Sequence, residues 1–134
     1  MDIKSGKIED RQQLLSLYES VGWTAYTQNP DKLFRAINHS LDILTVWDND
    51  SLVGLIRTIG DNETILYIQD LLIKPEYQHQ GLGSTLLKKI CDQHKDIRQK
   101  VLLTDDSDKT NAFYEKNGFV KATSLNLNCY YFKD

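Results

Sequence analysis

The sequence predicts a mixed α+β fold, in which helices flank a mostly antiparallel sheet. Three stretches rich in β-branched and aromatic residues, 41–47, 51–59 and 64–73, are separated by short polar turns and predict an antiparallel meander. The third stretch is followed by a helical pattern from residue 82 and an apolar stretch at 101–103. A strand–helix–strand unit of this kind predicts a parallel pair of strands, so the sheet is mixed.

The first forty residues predict a short strand and two helices. Residues 3–8 suit a strand, and residues 9–20 place their leucines on one face of a helix that Asp10 helps to start. The pattern breaks at 21–26. Asn29-Pro30-Asp31 then predicts a turn into a second helix at 31–38.

The last thirty residues predict a short helix and a hairpin. Residues 110–116 suit a helix that Asn117-Gly118 ends, because glycine readily adopts the left-handed conformation found there. Residues 119–123 and 125–132 are predicted to form two final strands. We therefore expect one domain over residues 1–134, with about four helices around the sheet.

The composition of the chain disfavours several classes of partner and cofactor. The chain has 134 residues, 40% hydrophobic and 26% charged, with a formal net charge of −3, which disfavours a nucleic-acid or membrane-surface partner because both attract a basic protein. The first residues contain no apolar run, so a cytoplasmic protein is expected. Two cysteines and three scattered histidines give no metal-ligand spacing, and we expect no metal.

A glycine loop separates the central strand from the next helix. Gln78, Gly81 and Gly83 form the pattern Q-x-x-G-x-G. Helix N-termini present unpaired amides and a partial positive charge, and glycine lets an anion approach the amides of residues 80–84. The alternative is that these glycines only make a turn. His79 lies inside the loop, where a solvated histidine is the alternative to a ligand contact.

The loop and its flanking strand, proline turn and helix resemble the GNAT superfamily of acyl-CoA-dependent N-acetyltransferases, and N-A-F-Y-x-x-x-G-F at 111–119 is similar to a second segment of that family. The resemblance implies a GNAT-like sheet with a V-shaped splay between its fourth and fifth strands. It also implies acetyl-CoA as co-substrate. The residues expected to bind it are Leu71, Leu72, Ile73, Gln78, His79, Gln80, Gly81, Leu82, Gly83, Ser84, Asn111 and Tyr114.

Two side chains are candidates for catalysis. Acetyl transfer needs an uncharged amine and a proton for the departing thiolate. Asp70 is the only carboxylate in the central strand, and the family often has an acidic group there, so we expect a base or an anchor for the substrate ammonium. The alternative is a structural carboxylate paired with Arg57. By resemblance Tyr114 is the general acid, the alternative being a tyrosine that only packs.

Trp23 and Tyr26 are expected to bind the acceptor, because family members often place the acceptor at the loop after the first helix. Arg57 is the third expected acceptor-binding residue, which would meet an acidic substrate or alternatively pair with Asp70. Trp23 and Tyr26 alternatively pack under that loop. The resemblance implies an N-acetyltransferase that acts on a primary amine of a small molecule by direct attack in a ternary complex. Acetylation of a protein amine, a non-catalytic coenzyme A sensor and a nucleotide-binding module are alternatives. The family and the apolar residues 130–132 suggest a homodimer.

Overall fold

Five strands form one sheet in the order β1-β2-β3-β4-β5. The computed structural model describes residues 1–134. Neighbouring strands are antiparallel from β1 to β4, and β4 pairs parallel with β5, which confirms the predicted mixed sheet. The strands are β1 (Asp2–Ser5), β2 (Asp42–Asp48), β3 (Ser51–Gly60), β4 (Ile65–Ile73) and β5 (Gln99–Leu102).

The chain has five α-helices, and the side chains before three of them cap their first amides. Asp10 accepts a hydrogen bond from the Gln13 amide (3.1 Å), and Asn29 accepts one from the Lys32 amide (3.3 Å). The helices are α1 (Arg11–Ser20), α2 (Thr24–Thr27), α3 (Pro30–Asn38), α4 (Leu82–Gln93) and α5 (Asp108–Lys116). None of them is long and apolar enough to cross a membrane.

The chain divides into two units, Met1–Leu103 and Thr104–Asp134, and the prediction of a single domain stays a prediction. The first unit contains the whole sheet. One buried cluster joins α1 and α3 to alternate residues of the strands, among them Ile43, Leu55 and Leu72. Helix α4 also contacts β2, β3 and β4 and buries Leu86, Leu87 and Ile90 outside that cluster.

The second unit consists of α5 and a shorter turn. Ser107 caps α5 through the Thr110 amide (3.3 Å), and Gly118, with φ of 90°, follows the helix as predicted. The predicted hairpin over 119–123 and 125–132 is wrong. Residues Ala122–Leu125 form a 3₁₀ turn, and the backbone turns left-handed at Asn126 (φ 60°), so the first predicted strand has no partner to pair with.

Two predictions at the amino-terminal end need smaller corrections. The first strand ends at Ser5 and does not reach Ile8, because Gly6 follows with φ of 103°, a conformation outside the strand region. The predicted break at 21–26 contains α2, a single helical turn that begins after Gly22 and Trp23.

Candidate functional site

The glycine loop lies between the end of β4 and the start of α4, as predicted. Pro75–Tyr77 form one 3₁₀ turn, after which His79 and Gly81 both adopt positive φ, 63° and 80°. A non-glycine residue with positive φ is uncommon. A Cβ atom built on Gly81 meets nothing within 4 Å, so open space lies beside the loop.

The backbone of this loop offers a row of hydrogen-bond donors. The first helical bond of α4 runs from the Thr85 amide to the Gly81 carbonyl (3.0 Å), and the amides of residues 79–83 donate to no acceptor in the chain. Consecutive amides beside left-handed residues, at the start of a helix, form a concave site for an anion. The loop therefore has the donor set that a diphosphate group requires.

Two side chains tie the loop to the sheet. The Gln78 amide nitrogen donates to the Ile73 carbonyl (2.9 Å), and the Tyr77 hydroxyl donates to Asp48 (2.7 Å). The hydrogen bond to Asp48 raises the pKa of Tyr77. Gln78 was predicted to bind the co-substrate. One of its side-chain N–H groups instead donates the hydrogen bond that joins the loop to the end of β4.

Strand β4 changes its pairing at Gln69. Arg57 of β3 lies opposite Asp70, whereas Thr58 lies opposite Ile68, so Gln69 is an extra residue that makes a β-bulge. Pairing with β5 ends at Ile68. Residues 69–73 therefore have a neighbouring strand on the β3 side only. Leu71, Leu72 and Ile73 lie in this part; Leu71 is half-buried, and the other two are buried.

Asp70 lies at the centre of a buried polar cluster. Its Oδ2 accepts hydrogen bonds from the Tyr18 hydroxyl (2.9 Å) and from Arg57 Nε (2.5 Å), and its Oδ1 accepts one from the Tyr26 hydroxyl (2.7 Å). Asp70 and Arg57 are each only 3% exposed. Charge and hydrogen bonds are thus satisfied inside the protein, and a substrate reaches the carboxylate only through one of its partners.

Tyr26 is the partner that faces outward. It is half-buried, and its hydroxyl oxygen also accepts hydrogen bonds from Gln69 Nε2 (3.1 Å) and Arg57 Nη2 (3.4 Å). Because its proton is directed at Asp70, this hydroxyl presents lone pairs and not a proton to its other neighbours. Both lone pairs are already used by Gln69 and Arg57, so a ligand that donates hydrogen bonds, as an amine does, has to replace the longer of these two bonds.

Burial controls the acid–base properties of the cluster. Burial, followed by the Asp70 carboxylate, raises the pKa of Tyr18 well above its usual value, and burial is also the main cause that raises the pKa of Tyr26. Burial opposes the charge of Arg57, but Asp70 outweighs it and raises the pKa of this guanidinium. The two phenols therefore stay protonated, and Arg57 stays charged, at neutral pH.

Trp23 and Tyr26, predicted to line the acceptor site, both pack on the buried core and stay half-exposed. Their ring centroids are 6.2 Å apart, and the Tyr18 ring lies 6.0 Å from Trp23 and 5.1 Å from Tyr26. Arg57 also lies over the Tyr26 ring, 5.8 Å from its centroid. The expected acceptor residues and Asp70 thus belong to one connected group of side chains.

The two predicted residues of the second unit lie on α5. Asn111 donates its side-chain amide to Asp106 (2.9 Å). The half-buried Tyr114 ring packs edge-on against Phe113 (5.0 Å) and Phe119 (5.9 Å). Burial, and then the charge of Asp105, raises the pKa of Tyr114, so its hydroxyl is protonated at neutral pH and able to donate.

With this geometry in view, comparisons with known proteins identify the family. A family model described as an acetyltransferase (GNAT) domain matches residues 39–121, which is more than half of the chain. The chain belongs to the GNAT family of acetyltransferases. The matched residues include β2 to β5, the glycine loop and α5.

Individual GNAT relatives agree with this assignment. A GNAT-family acetyltransferase from Streptococcus pneumoniae TIGR4 superimposes with a TM-score of 0.88 at 34% identity, covering 99% of this chain and 97% of that one. The PaiA N-acetyltransferase from Thermoplasma acidophilum, a complex with coenzyme A, gives 0.71 at 25% identity, covering 87% and 89%. An uncharacterised N-acetyltransferase from Porphyra purpurea, ycf52, is 31% identical over 81% of this chain, which spans only 64% of that relative.

The sequence analysis missed three members of the buried polar cluster around Asp70: Tyr18, Ser40 and Gln69. Tyr18 follows Leu14, Leu15 and Leu17 in α1, and a tyrosine among leucines signals a hydroxyl that needs a partner when buried. Ser40 accepts a hydrogen bond from Arg57 Nη1 (3.3 Å). Gln69 differs from its strand neighbours in being polar and exposed, but only the register shift shows that it is the bulged residue.

Proposed function

We propose that this protein is an acetyl-CoA-dependent N-acetyltransferase that acts on a primary amine of a small molecule by direct attack in a ternary complex. The observation that carries this proposal is the succession of two features: residues 69–73 of β4, which lack a strand on the β5 side, and a row of donor amides at 79–83 in the loop that follows. Membership of the GNAT family supplies the chemistry, transfer of an acetyl group from a thioester.

The glycine loop and residues 69–73 suit two parts of coenzyme A, its diphosphate and its pantetheine arm. The amides of residues 79–83 would hold its diphosphate, and backbone groups of Leu71, Leu72 and Ile73 would pair with the pantetheine arm as a missing strand does. The coenzyme A complex of the PaiA relative supports this use of the fold. Bound acetyl-CoA would supply the activated acetyl group.

The polar cluster suits the acceptor. We assign Tyr26 a direct hydrogen bond from the amine, which would replace the 3.4 Å bond from Arg57 Nη2. We assign Asp70 the role of anchor acting through Tyr26, with the general base as the alternative role. The Asp70 carboxylate is enclosed by three donors, one of them charged, which favours an orienting role. Arg57 and Trp23 would complete the acceptor side.

Tyr114 is the proposed general acid for the departing thiolate, on the strength of the N-A-F-Y-x-x-x-G-F motif and its protonated hydroxyl. Tyr114→Phe should lower kcat by about a hundredfold and leave the affinity for coenzyme A unchanged, because only the transferable proton is removed. Full activity of the variant would remove Tyr114 from this role. Phe113→Leu in the same helix is the control for altered packing.

Thiol release from acetyl-CoA across a panel of primary amines tests the activity, and calorimetry with coenzyme A tests binding. We expect binding, and release that depends on at least one small amine. Binding without release for every small amine, together with acetylation of a lysine-bearing peptide, would favour a protein acceptor. Binding without any release would favour the sensor, and preference for ATP over coenzyme A would favour a nucleotide-binding module.

The predicted cytoplasmic location stays a prediction.

A further inference from the structure

Gln69 is the exposed member of the polar cluster around Asp70. It is the bulged residue of β4, and the strand neighbours on either side of it, Ile68 and Asp70, are both buried. The pairing of β4 with β5 ends at Ile68, one residue earlier. The bulge therefore places a polar side chain at the surface, where it is joined to the buried carboxylate through Tyr26.

The directions of the hydrogen bonds in this chain of groups follow from Asp70. A carboxylate only accepts, so the Tyr26 hydroxyl donates its proton to Asp70 Oδ1 (2.7 Å). The Tyr26 oxygen must then accept, and the side-chain nitrogen of Gln69 is the group that donates to it (3.1 Å). This order decides which end of the Gln69 amide faces Tyr26. The other end, the carbonyl oxygen Oε1, accepts no hydrogen bond from the chain.

The Gln69 carbonyl oxygen and the Tyr26 oxygen are spaced to bind one nitrogen atom. The amide C=O and C–N bonds are about 1.2 and 1.3 Å long, so an amide nitrogen 3.1 Å from the Tyr26 oxygen holds its carbonyl oxygen about 4–5 Å from it. A nitrogen that donates two hydrogen bonds of about 2.9 Å at the tetrahedral angle holds its acceptors about 4.7 Å apart. The two distances agree.

An uncharged primary amine has the groups that these two oxygens require. It carries two N–H groups and one lone pair, so two acceptors can hold both N–H groups and leave the lone pair directed at the acetyl carbon. In the transfer, the lone pair forms the C–N bond, and the C–S bond breaks with its electron pair going to sulfur. One of the two N–H protons leaves as the thiolate gains a proton. An N-methylated amine has a single N–H group and leaves one oxygen unpaired.

We propose that Gln69 positions the acceptor and determines specificity: its side-chain carbonyl accepts one N–H group of the amine while Tyr26 accepts the other, so the site selects primary over N-methylated amines. The inference rests on the proposed function and deepens it by naming the feature of the acceptor that is recognised. The amine replaces the 3.4 Å bond from Arg57 Nη2, and the bond from Gln69 Nε2 to Tyr26 is kept.

The charged groups of the cluster leave this selection to the two oxygens. Arg57 donates to Asp70, Ser40 and Tyr26, and both Arg57 and Asp70 are 3% exposed. Neither charge is therefore presented to the acceptor. A site that recognises an N–H group by a hydrogen bond discriminates strongly against an analogue that lacks it, because its own polar group is then left unpaired.

Thiol release with paired amines tests the selection. The probes are 2-phenylethylamine, butylamine and ethanolamine, each with its N-methyl derivative. The natural chain should prefer the primary amine of a pair at least about tenfold in kcat/KM. Gln69→Met, which has no acceptor oxygen, should lower kcat/KM about tenfold for the primary amine and no more than about twofold for the N-methyl derivative, so that most of the preference is lost.

Gln69→Glu distinguishes recognition of the amine from support of Tyr26. Glutamate keeps an acceptor oxygen but cannot donate to the Tyr26 hydroxyl oxygen, so it should keep the preference of the natural chain. If Gln69 acts only by holding Tyr26 through its N–H group, Gln69→Glu and Gln69→Met should lose the preference alike, and the proposal is then wrong. Gln99→Met, at an exposed glutamine in β5, is the matched control and should keep the preference.

The possible failures of the two proposals are distinguishable. Turnover by the natural chain without a preference for the primary amine, or an unchanged preference in Gln69→Met, would overturn this inference and leave the proposed function standing. No release from any amine would overturn the proposed function and this inference with it. Urea denaturation should give the same midpoint for the natural chain, Gln69→Met and Gln99→Met, because both glutamine side chains are exposed; a loss of preference that follows a lowered midpoint would assign Gln69 a structural role and overturn the inference.

Discussion

The glycine loop that follows β4 and the cluster around Asp70 of β4 are built from different groups. The glycine loop is made of backbone: its donors are amides of residues 79–83, and its shape depends on positive φ at His79 and Gly81. The Asp70 cluster is made of side chains that come from α1, α2, β3 and β4. Side-chain identity therefore matters little in the loop, apart from its glycines and Gln78, and matters at every position of the cluster.

The two regions also differ in charge balance. The loop directs unpaired N–H groups at open space, so its partial positive charge is available for an anion. The cluster neutralises its own charges through Asp70 and Arg57, both buried. The loop is suited to attract a charged group, whereas the cluster is suited to orient a hydrogen-bonding one.

Removing the charge of the Asp70 carboxylate should have the largest effect, and this effect is on the stability of the fold. Asp70→Asn leaves the buried Arg57 guanidinium without a counter-charge, and we expect a loss of about 3–5 kcal/mol in the free energy of unfolding. Urea denaturation followed by circular dichroism measures it. The natural and variant chains should be compared at the same pH.

Asp48→Asn is the matched control, because Asp48 also accepts a hydrogen bond from a tyrosine hydroxyl but has no paired cation. It should cost less than about 1 kcal/mol. Equal losses for the two variants would mean that the cluster is held by hydrogen bonds alone. Arg57→Met with Asp70→Leu should recover part of the loss, because no unpaired charge remains.

Changing the loop backbone should affect ligand affinity more than stability. Gly81→Val places a branched side chain at φ of 80° and into the open space beside the amides. We expect coenzyme A to bind at least about tenfold more weakly, a change of about 1.4 kcal/mol. Titration calorimetry measures this affinity.

Gly6→Val controls for backbone strain, since Gly6 also has positive φ (103°) with nothing within 4 Å of a built Cβ atom. It should lower stability and leave the affinity unchanged. If Gly81→Val binds coenzyme A as the natural chain does, the loop is not the diphosphate site.

Alkaline pH should destabilise the cluster through Tyr18. Burial and Asp70 raise the folded-state pKa of Tyr18, so the unfolded chain releases this proton near pH 10 while the folded chain retains it. The contribution is fully present below that pH and is lost as pH rises through the folded-state pKa. Tyr18→Phe should weaken this alkaline loss and cost about 1–2 kcal/mol at pH 7, because Asp70 loses a donor.

Urea denaturation at pH 7 and in steps above pH 9 measures both effects. Tyr130→Phe, at a side chain that is 91% exposed, should keep the alkaline decline of the natural chain. An identical decline in Tyr18→Phe would assign the pH dependence to other groups.

The smallest effect on coenzyme A affinity should come from removing the hydrogen bond by which Gln78 joins the loop to β4. Gln78→Met removes the hydrogen bond to the Ile73 carbonyl, worth about 1 kcal/mol, and should weaken coenzyme A binding a few-fold by loosening the loop. Faster hydrogen exchange of the Thr85 amide, which donates to the Gly81 carbonyl in the loop, should accompany it. Gln80→Met, at an exposed loop side chain, should change neither quantity; if it matches Gln78→Met, the tie has no special role.

The glycine loop was predictable because its signals are local. Gly81 and Gly83 next to a strand and a helix indicate the loop within a dozen residues, and Asp10 and Asn29 mark helix starts from their own neighbourhoods. The order of β2, β3 and β4 followed from polar turns between apolar stretches. These features depend on interactions between residues close in the chain, and the structure confirms them.

The Asp70 cluster could not be predicted from the sequence, because its members come together only in the tertiary structure. Tyr18 lies 52 residues from Asp70 in the chain, and only the packing of α1 on the sheet brings the hydroxyl to the carboxylate. The predicted hairpin at 119–132 failed for the same reason, because a strand pattern specifies which faces are apolar and not which strand is the partner. Sequence alone determined the fold class and the backbone-built loop; long-range packing decided where Asp70 is buried, what surrounds it and which apolar residues remain exposed.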